Sequence, residues 1–277
     1  QYLLTQFRVI VTYLRLLFIP INQNLDYDYP LANSLLSLST LASLILLALI
    51  LTLAFKIFSK YRLISFGIFW FFLTLLPESS IIPIADVIYE HRCYLPMVGF
   101  SFFLVSSIDY LFEHKSLKAM IALLLIIISC FALITYRRNS IWKDEFSLWN
   151  DVVHKSPNKA RPYYNRGNAS IGRGSINQAI PDYGKAIEIN PNYAAAYNNR
   201  GNLYIGQGDI QQAISDYSRA IEINPDYAEA YDNRWLAYYE IKEYDKAWVD
   251  VHQAEALGYV VNPEFFNALK QASGRNK

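Results

Sequence analysis

Four residues in a short stretch carry the side chains best suited to chemistry: Glu90, His91, Arg92 and Tyr94, in the run Glu90-His91-Arg92-x-Tyr94-Leu95-Pro96. The run sits between apolar segments, and ionised groups at a membrane boundary are costly unless paired or ligand-bound. A guanidinium at position 92 could grip a phosphate or pyrophosphate in a bidentate fashion. Glu90 would then orient it, with Tyr94 at the level of lipid headgroups. The plainer alternative is a topological anchor, in which an Arg-Glu pair and a tyrosine fix helix ends. No Gly-rich phosphate loop, Ser-His-Asp arrangement or metal-ligand cluster occurs, so the catalytic residues are unassigned and no metal is expected. Cys93 and Cys130 lie in or beside apolar segments and are expected as small hydrophobes rather than a disulfide.

A second set of polar residues recurs with a fixed period. Residues 160–193, 194–227 and 228–261 align as three ungapped blocks of 34. Asn165, Asn199 and Asn233 share position 6, with Asn198 at position 5 and Asn168 and Asn202 at position 9. An Asn amide both donates and accepts, which suits the main chain of an extended peptide; the competing role is to solvate a groove or link neighbouring helices. Position 7 is Arg166, Arg200 or Arg234, and position 23 is Asp182, Asp216 or Asp250. Their joint recurrence predicts an ion pair within or between repeats, because partly buried charges need partners.

A period of 34 with small residues at positions 8 and 20 resembles the tetratricopeptide repeat, an antiparallel helix pair that must stack on its neighbours to bury its apolar face. Gly167 and Gly201 let the helices approach, whereas the third block has Trp235 at that place and is expected to splay locally. Ser175 with Gln178 and Asp209 with Gln212 have capping-box spacing. Residues 141–159 look like part of an earlier repeat, and residues 262–277 like a capping helix and tail.

The first 140 residues are different in kind. They hold 10 Lys or Arg and 7 Asp or Glu, against 15 and 17 in the remainder. Neither balance makes the basic stripe that nucleic acid requires. Mean hydropathy of the whole chain is +0.12, too apolar for an ordinary soluble solenoid. Spans are predicted near residues 35–55, 61–84, 94–112 and 117–136. Residues 2–19, with Arg8 and Arg15, are expected to lie at the interface or to span. The expected fold class is therefore all-α, a polytopic membrane region followed by a helical solenoid. Lys56, Lys60 and Arg62 place their loop in the cytoplasm, so the repeats are expected on the non-cytoplasmic side, periplasmic or lumenal.

The segments PESSIIPIADVIYEHRCYLPMVGF and TYLRLLFIPINQNLDYDYP resemble the C-terminal membrane part of the transmembrane and tetratricopeptide-repeat O-mannosyltransferases, within the GT-C glycosyltransferases. The resemblance implies transfer of a sugar from a polyprenyl-phosphate carrier as donor substrate, with Glu90, His91, Arg92 and Tyr94, and the loop of Asp26, Asp28 and Tyr29, as carried-over features. It implies a polypeptide partner in the repeat groove and membrane lipid around the spans. The catalytic acidic residues of that superfamily lie in an earlier outer loop with no counterpart here. The sequence, opening on Gln1, is thus expected to be the C-terminal piece of a longer protein, and a non-enzymatic membrane scaffold is the alternative.

Overall fold

A computed structural model describes residues 1–77, 88, 90–112 and 116–275, without the side chains of Glu90 and His91. It is all-helical among those residues and divides into two compact units, Gln1–Asp144 and Glu145–Lys277.

The first unit contains α1 (Tyr2–Phe18), α2 (Leu38–Ile57), α3 (Arg62–Leu75), α4 (Tyr94–Leu111) and α5 (Leu117–Asn139). A 3-10 turn, Glu90–Cys93, leads directly into α4. Among the described residues, three helices are long and apolar enough to cross a membrane: Leu38–Ile57, Tyr94–Leu111 and the helical run Leu117–Lys143. The fourth expected span contains only the 14 residues of α3, and most of its continuation lies outside the described residues. Burial inside the unit is concentrated on α1, where Val9, Tyr13, Leu16 and Leu17 pack with Phe71, Leu75, Ile88, Cys93 and Phe100. Lipid tails are as apolar as these side chains, so dispersion from close packing holds such a core rather than expulsion from water.

The closest approach in this unit is between α3 and α4. A Cβ on Gly99 would stand 2.5 Å from the Gly67 carbonyl oxygen, and one on Gly67 would stand 2.7 Å from the Phe103 amide nitrogen. These are the two glycines among residues 1–140, and each is spent on one backbone-to-backbone crossing. Ser65 secures the adjoining α2–α3 turn by donating its hydroxyl to the Ala54 carbonyl at 3.0 Å.

The arginines of α1 both bond the loop that follows the helix. Arg8 donates to the Pro30 carbonyl (3.2 Å) and covers the Tyr29 ring, while Arg15 donates to the Ile21 carbonyl (3.3 Å). With the Thr5 hydroxyl accepting from the Ala32 amide at 2.8 Å, they strap the loop after α1 back onto the helix.

The second unit is the solenoid. Helix α6 (Glu145–Lys155) is followed by the pairs α7 (Ala160–Gly172) with α8 (Ile176–Ile189), α9 (Ala194–Gly206) with α10 (Ile210–Ile223), and α11 (Ala228–Glu240) with α12 (Tyr244–Ala256). Helix α13 (Pro263–Ser273) closes the end, packing Leu269 and Phe266 on Trp248 and Val251. Helices α8 and α10 stop at Asn190-Pro191 and Asn224-Pro225, where each Asn side chain accepts from the amide two residues on. Asp209 caps α10 through the Gln212 amide (3.2 Å), but Ser175 makes no side-chain cap.

Inside the first two repeats, Gly167 faces the ring of Tyr183 and Gly201 that of Tyr217. The third repeat inverts the pair. Trp235, 1% exposed, fills the space with Val251 opposite, so the departure exchanges large for small and keeps the indole buried. Its N–H is satisfied by Asp232 at 2.8 Å. A Cβ at position 201 would lie 2.7 Å from the Tyr217 ring, which is itself buried. Gly201→Ala is therefore expected to destabilise the solenoid by about 1–3 kcal/mol, read as a lower urea midpoint by tryptophan fluorescence.

Candidate functional site

Each repeat is organised on an arginine. Arg200 bonds Asp216 through Nε (2.7 Å) and Nη2 (2.8 Å), Arg234 bonds Asp250 in the same way (2.7 and 2.7 Å), and Arg166 bonds Asp182 (2.9 and 2.6 Å). The pair is formed within one repeat, from first helix to second. Tyrosines flank the guanidinium: Tyr197 and Tyr204 about Arg200, Tyr231 and Tyr238 about Arg234, and Tyr163 beside Arg166. The hydrogen bonds that Arg200 donates to Asp216 hold its pKa above its ordinary value, against burial.

The remaining guanidinium nitrogen joins repeat to repeat. Arg166 Nη1 donates to Asn150 of α6 (2.9 Å), and Arg234 Nη1 donates to the Ser218 hydroxyl of α10 (2.9 Å). The equivalent place before Arg200 is Gly184, where a Cβ would meet only Arg200 Nη1, at 3.7 Å. Gly184→Ser is expected to raise stability by about 1 kcal/mol, from helix propensity and a restored hydrogen bond; differential thermal unfolding of the two proteins checks it.

The asparagines are engaged in the same lattice. Asn168 accepts from the Tyr183 hydroxyl (2.6 Å) and from Asn199 (3.1 Å), and Asn202 accepts from the Tyr217 hydroxyl (2.7 Å). Asn233 donates to Asn198 at 3.0 Å, and Asn198, fully buried, donates to Glu229 at 3.4 Å. Asn199 also reaches the Tyr164 hydroxyl (3.2 Å). Asn165 is half-buried on the same helix face as Arg161 and Asn168, and Asn202 is exposed. Five of the six groove asparagines thus bond side chains of their own or neighbouring repeats. The service of Asn168 and Asn202 to a tyrosine was missed in the sequence. The signal was there: Asn stands at position 9 where position 24 is Tyr, and Leu236 stands there where it is Val251.

Burial pushes the Tyr183 hydroxyl up to about 12, burial and the nearby Glu229 raise Tyr227 to about 12, and burial moves Tyr217 upward as well. An unfolded tyrosine ionises near 10, so between about pH 10 and 12 the unfolded chain binds fewer protons than the folded one, and stability falls as pH rises. The contribution of Tyr183 is full below pH 10, and about 3 kcal/mol is lost across that window. Urea midpoints at pH 9 and pH 11, with tyrosinate absorbance, check this; Tyr183→Phe should flatten the decline.

In the first unit, the two segments singled out by the sequence meet. A cleft of about 460 Å³ is lined by Gln23, Asn24 and Leu25 of the loop after α1, by Cys93, Tyr94 and Met97 at the start of α4, by Thr135 of α5 and by Trp142 of the 3-10 turn Ser140–Lys143 that follows it. Its walls mix apolar and polar side chains. Tyr94 is 72% exposed, whereas Arg92 is 7% exposed, is engaged within the protein and is not among the lining residues. Asp26 is likewise buried, and its neighbour Asn24 donates to the Asp26 carbonyl at 3.1 Å. The side chains of Glu90 and His91 lie outside the described residues. Among the described residues, no group of three His, Cys, Asp or Glu side chains could hold a metal ion.

The second unit is a stack of tetratricopeptide repeats. Residues 194–227 match the family model described as Tetratricopeptide repeat, and residues 171–208 match that described as TPR repeat. The first match coincides with the second sequence block. Among curated proteins, Protein O-mannosyl-transferase Tmtc3 of Drosophila melanogaster is 30% identical over 124 residues, 43% of this chain and 13% of the relative. Similar solved structures include the Arabidopsis OM64 TPR domain, at 28% identity and a TM-score of 0.38, covering 42% of this chain and 94% of that one. The first TPR of Spaghetti (RPAP3), bound to an HSP90 peptide, is 27% identical with a TM-score of 0.39, covering 42% and 91%.

Proposed function

We propose that this chain is the membrane-anchored, polypeptide-binding portion of a glycosyltransferase that draws sugar from a polyprenyl-phosphate carrier. The observation that carries the proposal is the meeting of the loop after α1 with the start of α4 around one cleft. Both segments are the ones whose sequences resemble the O-mannosyltransferases. The cleft has the mixed lining that a lipid-linked headgroup needs, with Leu17, Met97 and Phe131 supplying apolar surface and Gln23, Asn24, Thr135 and Tyr94 supplying polar groups. Similarity to an O-mannosyl-transferase over part of the chain supports the same reading.

In this reading the tetratricopeptide repeats hold the acceptor polypeptide on the non-cytoplasmic side, opposite the turn of Lys56, Lys60 and Arg62. Arg92, buried and engaged, serves as an anchor for the start of α4. A second reading is a scaffold without transferase activity. It is favoured by the asparagines, whose hydrogen bonds are largely spent between repeats rather than held open for a peptide.

One experiment separates them. Membranes containing the full protein are supplied with a polyprenyl-phosphate hexose, and hexose incorporation into protein is measured with and without Asn24→Ala plus Tyr94→Ala. The transferase reading expects incorporation by the parent and at least a roughly ten-fold loss in the variant at equal expression, the size of about 1.4 kcal/mol of lost binding. No incorporation by the parent leaves the scaffold; incorporation that the variant does not lower overturns the cleft as the place where the lipid-linked headgroup binds.

A further inference from the structure

A second cleft in the first unit belongs to neither reading. About 220 Å³ lies open between α1, α2, α3 and α4, walled by Leu14, Phe18, Leu53, Ile68, Phe72 and Phe103. Gly67 forms part of its lining, so the crossing that brings α3 onto α4 also leaves this space beside it. Every wall residue is apolar. Water has no polar partner there, and cavities of that kind stay dry or take up hydrocarbon. A helix, about 10 Å across, is too thick for so small a space, whereas a single hydrocarbon chain is not.

Position along the helices decides which chain. Leu53 lies one turn before Lys56 on α2, and Ile68 lies about 9 Å along α3 from Arg62. The wall of the cleft therefore starts about 5–9 Å along the helices from the turn that holds Lys56, Lys60 and Arg62. It runs away from that turn to Phe72, about 15 Å along α3 from Arg62, a span that one acyl chain covers. Tyr61 of that turn meets Tyr110 near the end of α4, with ring centroids 4.6 Å apart, so the ends of three helices converge there. Among the described residues at these ends, the one carboxylate is that of Asp109. Each cation close to a membrane surface attracts anionic headgroups by about 1 kcal/mol, or about five-fold in occupancy.

We propose that this cleft holds an acyl chain of an anionic glycerophospholipid whose phosphate rests on the Lys56–Arg62 turn. The lipid would wedge α1 against the α3–α4 pair and complete a packing surface that the protein leaves open. Nothing in this assignment depends on sugar transfer or on the side of the membrane that carries the repeats.

The test uses the full chain in nanodiscs of mixed phosphatidylglycerol and phosphatidylcholine, one of the two carrying a photoactivatable group on its acyl chain. Cross-links to phosphatidylglycerol are expected to concentrate on residues 50–53 and 67–72. Lys56→Gln with Lys60→Gln should lower that labelling about five-fold or more relative to phosphatidylcholine, and Ile68→Trp, which fills the cleft, should abolish it. Labels spread along α5, whose apolar window has no buried residue, would overturn the cleft assignment. Equal labelling by both lipids in the parent protein would overturn the headgroup assignment. The parent map decides the first point even if the Trp variant does not fold.

Discussion

The bidentate arginine–aspartate pair at positions 7 and 23 is the interaction on which the solenoid depends. A buried carboxylate is tolerable only when it is paired, and here each Asp accepts two hydrogen bonds from the part-buried guanidinium of the same repeat, whose faces lie on tyrosines. Once the charge is satisfied, the first and second helices have a fixed separation and register. The third nitrogen is then available to the preceding repeat, as Arg166 with Asn150 and Arg234 with Ser218 demonstrate. A single side chain thus closes one helix pair and docks it on the next. Breaking such a pair on one side leaves a buried charge and typically costs about 3–5 kcal/mol, a large part of the stability of a small domain.

The membrane unit follows another constraint. Hydrophobic burial gives little preference for helix against helix over helix against lipid, so close contact must come from small residues and from satisfied backbone. Gly67 and Gly99 provide the former, and Arg8, Arg15 and Thr5 the latter by bonding the loop after α1. That strapping keeps Gln23 and Asn24 beside Tyr94. Arg8 and Arg15, whose spacing puts them on one helix face, clasp the loop after α1 to the helix.

Two clefts and one groove divide the possible work of the molecule. The mixed cleft at the start of α4 suits a ligand with a polar head and an apolar tail, while the cleft beside Gly67 suits hydrocarbon alone. The groove asparagines are less free than their exposure in a helical projection implied. Asn198 is fully buried, and Asn168 serves Tyr183. A polypeptide in this groove would meet an amide lattice already bonded to itself, together with the exposed Asn202 and the carboxylate of Glu229.

What the sequence alone determined was the periodic part. A 34-residue repeat fixes which residues share a face, because stacking neighbours must present the same surface each time, and so the helix pairs, the Asn-Pro stops and the recurrence of Arg with Asp could be read directly. The exchange of Gly and Tyr for Trp235 and Val251 was visible as a departure, but only packing revealed that the two changes compensate. Tertiary structure alone decided the non-periodic contacts: that the loop after α1 returns to α4, that Arg92 turns inward while Tyr94 faces the cleft, and that Gly67 meets Gly99 across two helices 32 residues apart in sequence. No repeat records those pairings, since each occurs once, and a single polar or small residue in an apolar run has the same appearance whether it faces lipid, backbone or ligand.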